Sequence, residues 1–117
     1  MEINKTDAYY QISPSENEVL SEEDGFQVFF STFVKNNTNF KNVNVILDFS
    51  KIINIDLDKI LLFSPISEAQ KNNNKSFVIV CEGLEFDKVP DEIVVVPTFK
   101  EAEDIIEIED IERDLGI

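Results

Sequence analysis

Three carboxylates, Asp48, Asp56 and Asp58, are the side chains of this chain whose type and spacing could do chemistry. Carboxylate oxygens are the ligands that hard divalent cations prefer, and a pair of carboxylates can catalyse glycoside hydrolysis. The segment around Asp56 lacks the Gly and the terminal Glu of an EF-hand calcium loop. The same carboxylates could instead cap a helix or, with Lys59, form a surface that binds a partner protein. A metal site, a helix cap with solvated loop charges and a partner surface are the three interpretations.

The rest of the composition excludes most kinds of active site. The 117 residues contain no His, which removes an imidazole base and a His metal ligand. Cys81 is the single Cys, which excludes an internal disulfide and a thiolate zinc site, and its place after an apolar run predicts a buried, unreactive thiol. Gly25, Gly83 and Gly116 are isolated, so there is no Gly-rich phosphate loop. We therefore expect no catalytic residue, no bound metal and no cofactor.

The charge of the chain restricts its partners. Twenty-four acidic residues against ten basic ones give a formal net charge of −14. An anionic surface repels phosphate backbones and anionic lipid headgroups, so we expect neither nucleic acid nor membrane as a partner. No apolar run approaches the ~18 residues of a membrane span, and Met1 is followed by Glu2 rather than by a signal segment. We expect a cytoplasmic protein whose acidity either maintains solubility or provides a face for a protein partner with a basic surface.

The N-terminal third predicts short strands and one helix. Residues 8–12 are β-prone, and residues 19–20 could add a short strand before an acidic turn at 21–25. Asp24 is the expected N-cap of the helix that follows. One face of that helix is indicated by Phe side chains at the i, i+3, i+4 and i+7 spacing: Phe26, Phe29, Phe30 and Phe33.

The middle of the chain predicts strands that alternate with helical segments. Three apolar runs are typical of strands buried on both faces: residues 43–47, 77–80 and 93–96. Residues 58–70 have helical spacing, and Asp58 is the expected capping carboxylate at the start. Pro65 interrupts this segment, so either the helix kinks or a second helix starts with Ser64 as its cap.

The C-terminal segment predicts a capped helix. Thr98 and Glu101 have the spacing of a capping box, in which the Thr hydroxyl accepts from the third N–H and the Glu reaches back to the cap. Acidic residues in the first turn are favoured by the helix dipole. Its apolar face is expected to contain Ala102, Ile105, Ile106, Ile108, Ile111 and Leu115.

Together these elements predict one α/β domain over residues 1–117. We expect a single-layer mixed, largely parallel sheet of four or five strands, with helices mainly on one face. The expected core consists of Phe29, Phe30, Phe33, Val45, Leu47, Leu62, Ile66, Val78, Val80, Val94, Val96, Ala102 and Ile106.

Two segments carry a resemblance to a known family: ILDFS at positions 46–50 and IDLD at positions 55–58. A strand that ends in Asp, a loop, a helix opening at Ile55-Asp56, two further strands and a capped C-terminal helix resemble the STAS domain of anti-sigma factor antagonists. The resemblance covers about residues 43–115. It implies a STAS-like regulatory domain that binds another protein.

Regulatory STAS domains carry a phosphorylatable Ser or Thr in an Asp-Ser-Ser-Gly-type turn, which a cognate kinase modifies. Aligned at Asp56, the resemblance assigns that hydroxyl position to Asp58 and the following Gly position to Lys59. A fixed carboxylate thus replaces a switchable charge. The segment at 82–91 is also shorter than the helix that usually separates the last two strands. We expect a reduced STAS-like, non-catalytic module whose partner-binding residues are Asp48, Asp56, Asp58 and Lys59.

A second resemblance covers the C-terminal third. Residues 76–80, 89–98 and 111–116 are similar to a family of short bacterial proteins often labelled ribonuclease Z. That label implies a metallo-β-lactamase-type nuclease whose zinc ions are held by a His-rich motif. This chain has no His. For this reason we do not transfer the zinc-dependent nuclease activity to this chain. A small metal-dependent hydrolase or nuclease remains the alternative function.

Overall fold

The computed structural model describes residues 1–15, 23–52 and 55–116. The predicted strand at 19–20 and the start of the acidic turn lie outside these ranges. The described elements, in chain order, are β1 (Glu2–Lys5), β2 (Tyr10–Ser13), α1 (Glu23–Lys35), β3 (Val45–Asp48), α2 (Leu57–Leu61), α3 (Ser64–Asn72), β4 (Phe77–Val80), β5 (Val94–Val96) and α4 (Phe99–Asp114).

The five strands form one sheet in the order β1-β2-β3-β4-β5. β1 pairs with β2 in antiparallel orientation, and every later pair is parallel. The predicted α/β fold with a mixed, largely parallel sheet is confirmed. β1 was not predicted, because its sequence EINK contains one apolar residue and all four side chains are exposed.

Successive side chains of a strand point to opposite faces, and here they form two hydrophobic clusters. Val45 and Leu47 join the larger cluster, together with side chains of α1, α2 and α3. Ile46 joins the smaller cluster, together with Ala102 and Ile106 of α4. The helices α1, α2 and α3 therefore cover one face of the sheet, as predicted for most of the helices, and α4 covers the other.

The predicted aromatic face of α1 is confirmed: Phe26, Phe29 and Phe33 are buried and Phe30 is half-buried. The predicted N-cap, however, is wrong. α1 begins at Glu23, so Asp24 lies inside the first turn of the helix.

Pro65 marks the start of a separate helix rather than a kink. α2 ends at Leu61, and α3 begins at Ser64 with Phe63, not the predicted Ser64, in the N-cap position. The change of direction buries Phe63 completely and leaves Leu62 45% exposed, so the prediction of Leu62 as a core residue is wrong.

The other predicted core residues lie inside or at the margin of the core. Three of them are half-buried: Phe30, Ile66 and Val94. The remaining nine are buried: Phe29, Phe33, Val45, Leu47, Val78, Val80, Val96, Ala102 and Ile106.

The start of α4 matches the predicted capping box in one half. The Thr98 hydroxyl oxygen accepts from the Glu101 N–H at 3.2 Å. The Glu101 carboxylate accepts from the Thr98 hydroxyl at 3.0 Å instead of reaching the backbone N–H of the cap.

Polar side chains fasten the C-terminal half of α4 to the amino edge of the sheet. Asn44 and Ser76 are buried and directly precede β3 and β4. The Asn44 amide donates to the Asp110 carboxylate at 3.1 Å, while Arg113 donates to the Asn44 oxygen at 3.3 Å and to the Ser76 hydroxyl at 3.0 Å. This half of the helix is thus held by hydrogen bonds. Ile108, Ile111 and Leu115, which the sequence placed on the apolar face of the helix, are exposed.

Tyr9 attaches the first half of α4 and should make stability depend on pH. Its hydroxyl donates to the Glu103 carboxylate at 2.9 Å, and its ring meets Phe99 edge-on. Burial, and then Glu103, raises the pKa of Tyr9 from its ordinary value of 10.0 to about 12. Because the folded-state pKa is the higher one, this contribution to stability is complete below pH 10.0 and is lost as the pH rises towards 12.

An ultraviolet titration of the phenolate absorbance tests this expectation. The wild-type chain should show a phenol that titrates near pH 12, and Tyr9→Phe should lack it. A late-titrating phenol that persists in Tyr9→Phe would contradict the assignment.

Candidate functional site

The four predicted site residues lie towards the carboxyl edge of the parallel strands. Asp48 is the last residue of β3, and Asp56, Asp58 and Lys59 form the start of α2, which follows β3 in the chain. The carboxyl edge is where sites form in open α/β sheets. The topology thus brings the predicted residues to the expected end of the domain.

Asp48 has a positioning role at this edge. One carboxylate oxygen accepts from the Gln11 side-chain amide at 2.8 Å and the other accepts from the Ser50 N–H at 2.9 Å. These bonds tie β2 to β3 and start the turn after the strand. Side chains alternate between the two faces of a strand, so Asp48 points to the same face as Ile46, which is the face that α4 covers. Leu47 points to the opposite face, on which α2 packs.

Asp56, not Asp58, is the cap of α2. Asp56 has an extended backbone, and its carboxylate accepts from the Lys59 N–H at 3.2 Å. The predicted capping role of Asp58 is wrong, because α2 begins at Leu57, whereas a cap at Asp58 requires a start at Lys59. Asp58 occupies the first turn of α2 with an exposed side chain, where the helix dipole favours a negative charge.

Lys59 connects the start of α2 to α1. Its ammonium nitrogen lies 5.6 Å from the centre of the Phe26 ring, within the range of a cation–π contact. Phe26 belongs to the buried aromatic face of α1. The contact links the first turn of α2, which carries the exposed Asp58, to α1.

Cys81 follows the carboxyl end of β4 and is fully buried, as predicted. Burial, and then the charge of Glu82, raises the pKa of the Cys81 thiol. A raised pKa disfavours the thiolate, which is the nucleophilic form. The position therefore has the properties of a small core residue.

Two further features bear on ligand binding. Within residues 1–15, 23–52 and 55–116, no group of three or more Cys, Asp or Glu side chains is placed to hold a metal ion. A depression that the sequence did not indicate lies at the amino edge, lined in part by Asp7, Lys75 and Asp110. Its polar lining continues the hydrogen-bonded contacts that hold α4.

A scan against models of protein families and a search of curated proteins find no match to this chain. In the part of the chain that the structure describes, no helix is long and apolar enough to cross a membrane.

Removing the cap of α2 tests the local structure of the site. Asp56→Ala should lower the free energy of unfolding by about 1 kcal/mol, within a range of about 0.5–2, because the Lys59 N–H loses its acceptor. Asp56→Asn should cost much less, since Asn caps about as well as Asp. Urea denaturation of both variants measures the difference, and equal losses would refute the capping role.

Proposed function

We propose that this chain is a non-catalytic regulatory or scaffolding module of the cytoplasm that binds another protein. The proposed contact surface is the carboxyl edge at Asp48, Asp56, Asp58 and Lys59. The observation that carries the proposal is the exposed carboxylate of Asp58 in the first turn of α2. In the STAS resemblance, Asp58 stands at the position where regulatory STAS domains carry their phosphorylatable Ser or Thr.

The order of elements supports a reduced STAS-like domain. β3 ends at Asp48, α2 is capped by Asp56, and the chain continues through β4 and β5 to α4, which is capped by Thr98. Only a 3-10 turn, Phe86–Lys88, interrupts the connection from β4 to β5, where the family has a helix. The short connection agrees with the length expected from the sequence.

The chemistry at Asp58 favours a permanent rather than a switched interaction. Asp carries about one negative charge, whereas phosphoserine carries nearly two at neutral pH. The charge needs no kinase, and a second carboxylate, Asp56, lies two residues before it. A partner with a basic surface would thus meet a negative charge at all times.

Charge reversal at Asp58 tests the proposal. A partner is first captured from extracts of the source cell on the immobilised chain and identified, and its affinity is then measured by calorimetry. Asp58→Lys should weaken binding at least about tenfold, because an attraction becomes a repulsion. The matched control is Glu68→Lys, an exposed charge reversal on α3, which should bind like the wild type.

Asp58→Ser separates the charge from the fold. Because Asp56 supplies the cap, Asp58→Ser should leave the melting temperature almost unchanged. The same substitution should weaken the binding of the partner protein. Equal affinities of the wild type, Asp58→Lys and Asp58→Ser would overturn the proposed surface. Reproducible, metal-supplemented turnover of RNA or phosphodiester substrates, lost in Asp48→Asn or Asp56→Asn, would overturn the non-catalytic assignment.

A further inference from the structure

The C-terminal half of α4 exposes an apolar stripe that its own sheet does not cover. Ile108, Ile111 and Leu115 are 55%, 51% and 68% exposed. Their spacing of i, i+3 and i+7 puts them on one side of the helical path. We call these three residues the outer stripe.

The outer stripe points away from the core for a geometric reason. Ala102 and Ile106 define the buried side of α4, and Arg113 is turned to the same side by its hydrogen bonds to Asn44 and Ser76. At 100° per residue, Ile108 and Leu115 lie roughly opposite these positions. The hydrogen-bonded anchor thus fixes which side of the helix faces outward.

Carboxylates surround the outer stripe. α4 contains eight acidic residues and two basic ones. Both basic side chains are engaged, Lys100 with Asp104 at 2.9 Å and Arg113 with Asp110. Glu107 and Glu112 are exposed beside the stripe, and no ion pair to either is found within the described residues.

The position of these charges along the helix also favours a cationic partner. Glu112 and Asp114 lie in the last turn of α4, where the helix dipole disfavours negative charge. A cationic partner would relieve this unfavourable interaction. The C-terminal half of α4 therefore combines exposed apolar side chains with the exposed carboxylates of Glu107, Glu112 and Asp114.

We propose that the outer stripe binds a basic amphipathic helix of a partner protein. Apolar side chains of that helix pack on Ile108, Ile111 and Leu115, and Lys or Arg side chains on its flanks meet Glu107 and Glu112. Recognition of this type uses anchors at i, i+3, i+4 and i+7 spacing on an apolar surface. The charged flanks supply orientation and a faster association rate.

A second copy of this chain fits the stripe poorly. Two α4 helices packed through the stripe would bring Glu107 and Glu112 of one copy against the same carboxylates of the other. Like charges across an interface suppress the wrong partner, and each chain has a net charge of −14. A cationic helix from another protein therefore fits the outer stripe better than a second copy of this chain.

The outer stripe is separate from the carboxyl edge. Asp110 and Arg113 contact Asn44 and Ser76, which precede the strands at the amino edge. Asp58 lies in α2, on the face of the sheet opposite α4. The outer stripe is thus a second binding surface beside the carboxyl edge, and experiments can refute either surface without refuting the other.

Two synthetic peptides of about three heptads test the proposal with the intact chain. Both carry Leu at the a and d positions; the probe has Lys at the e and g positions and the control has Glu there. Fluorescence anisotropy should show saturable binding of the Lys peptide and none of the Glu peptide. Raising the salt from about 0.1 M to about 1 M, which shortens the Debye length from about 10 Å to about 3 Å, should weaken binding several-fold.

Variants on the two faces of the molecule locate the binding. Ile108→Gln combined with Ile111→Gln should weaken the binding of the Lys peptide at least about tenfold. The helical circular dichroism should be retained, since Gln is a good helix former. The matched control is Val28→Gln on α1, where a side chain 58% exposed is replaced, and it should bind like the wild type. Glu107→Lys combined with Glu112→Lys should weaken binding and reduce its salt dependence.

Several results would overturn the proposal. They are equal binding of the Lys and Glu peptides, no binding of either, unchanged affinity in the Ile108→Gln and Ile111→Gln variant, or sedimentation showing that the stripe forms a dimer of this chain. Asp58→Lys should leave the peptide affinity unchanged. A loss of peptide binding in Asp58→Lys would instead assign the peptide to the carboxyl edge and overturn the separate surface.

Discussion

Phe63→Ala should lower the free energy of unfolding by about 3–5 kcal/mol, the largest effect expected of a single substitution in this chain. Phe63 is fully buried. Truncation removes the transfer free energy of the ring and leaves a cavity that the surrounding rings cannot fill without moving.

The cost is high because Phe63 joins elements that are far apart in the chain. Its ring centre lies 5.2 Å from that of Phe30 and 5.6 Å from that of Phe33, both on α1. It lies 6.0 Å from Phe49, just after β3, and 6.4 Å from Phe77 on β4. These distances are within the range of favourable aromatic pairs, so one residue connects the first helix, the break between α2 and α3, and two strands.

Denaturant unfolding of Phe63→Ala and Phe86→Ala tests this expectation. Phe86 lies in the 3-10 turn before β5 and is 38% exposed, so its truncation removes less buried surface. Phe86→Ala should therefore cost clearly less. Equal losses in the two variants would show that the ring cluster does not hold these elements together.

The sequence predicts the centre of this sheet well. The strands β3, β4 and β5 were found because strands buried on both faces need unbroken apolar runs. The face of α1 was found because four Phe residues share a helical spacing. The start of α4 was found because Thr98 and Glu101 form a local motif that depends on no distant contact.

The sequence does not decide side-chain direction at a helix break. Leu62 and Phe63 are neighbours of similar hydrophobicity, and helical spacing favoured Leu62 as the core residue. Because α2 stops and α3 starts at this point, Phe63 turns inward and Leu62 outward. The side chain that faces the core at this break is set by tertiary packing rather than by local spacing.

The candidate site was predicted in position but not in detail. The carboxyl-edge location follows from the alternation of strands and helices alone. Asp56 rather than Asp58 is the cap because α2 starts at Leu57, two residues before the start that a cap at Asp58 would require. Asp48 points to the face opposite α2 because side chains alternate along β3, and an unbroken apolar run does not indicate which face each helix covers.

The outward direction of the outer stripe also lay beyond the sequence. Apolar residues recur along the whole of α4, so their spacing alone supports a buried face at any of several rotations. Buried hydrogen bonds from Asn44, Ser76 and Arg113 select one rotation. Single Asn and Ser residues before strands give no signal in a sequence, because such residues are common in ordinary loops.

Asn44→Ala should lower the free energy of unfolding by about 1–3 kcal/mol, because the buried Ser76 N–H loses its acceptor. The Asn44 oxygen accepts from the Ser76 N–H at 2.9 Å, and its amide donates to the Ala8 carbonyl at 3.0 Å. Asn39→Ala is the matched control, since Asn39 is exposed in a 3-10 turn, and it should change stability by no more than about 0.5 kcal/mol.

Hydrogen exchange and a double-mutant cycle separate this role from a general loss of stability. Asn44→Ala should speed amide exchange most in the C-terminal half of α4, whose anchors it removes, and least in α1. Asn44→Ala and Arg113→Ala together should cost less than the sum of the single variants, because Arg113 donates to Asn44 and each variant breaks the same contacts. Additive losses with uniform exchange would show that these hydrogen bonds do not hold the C-terminal half of α4, and the fixed outward direction of the outer stripe would then lose its physical basis.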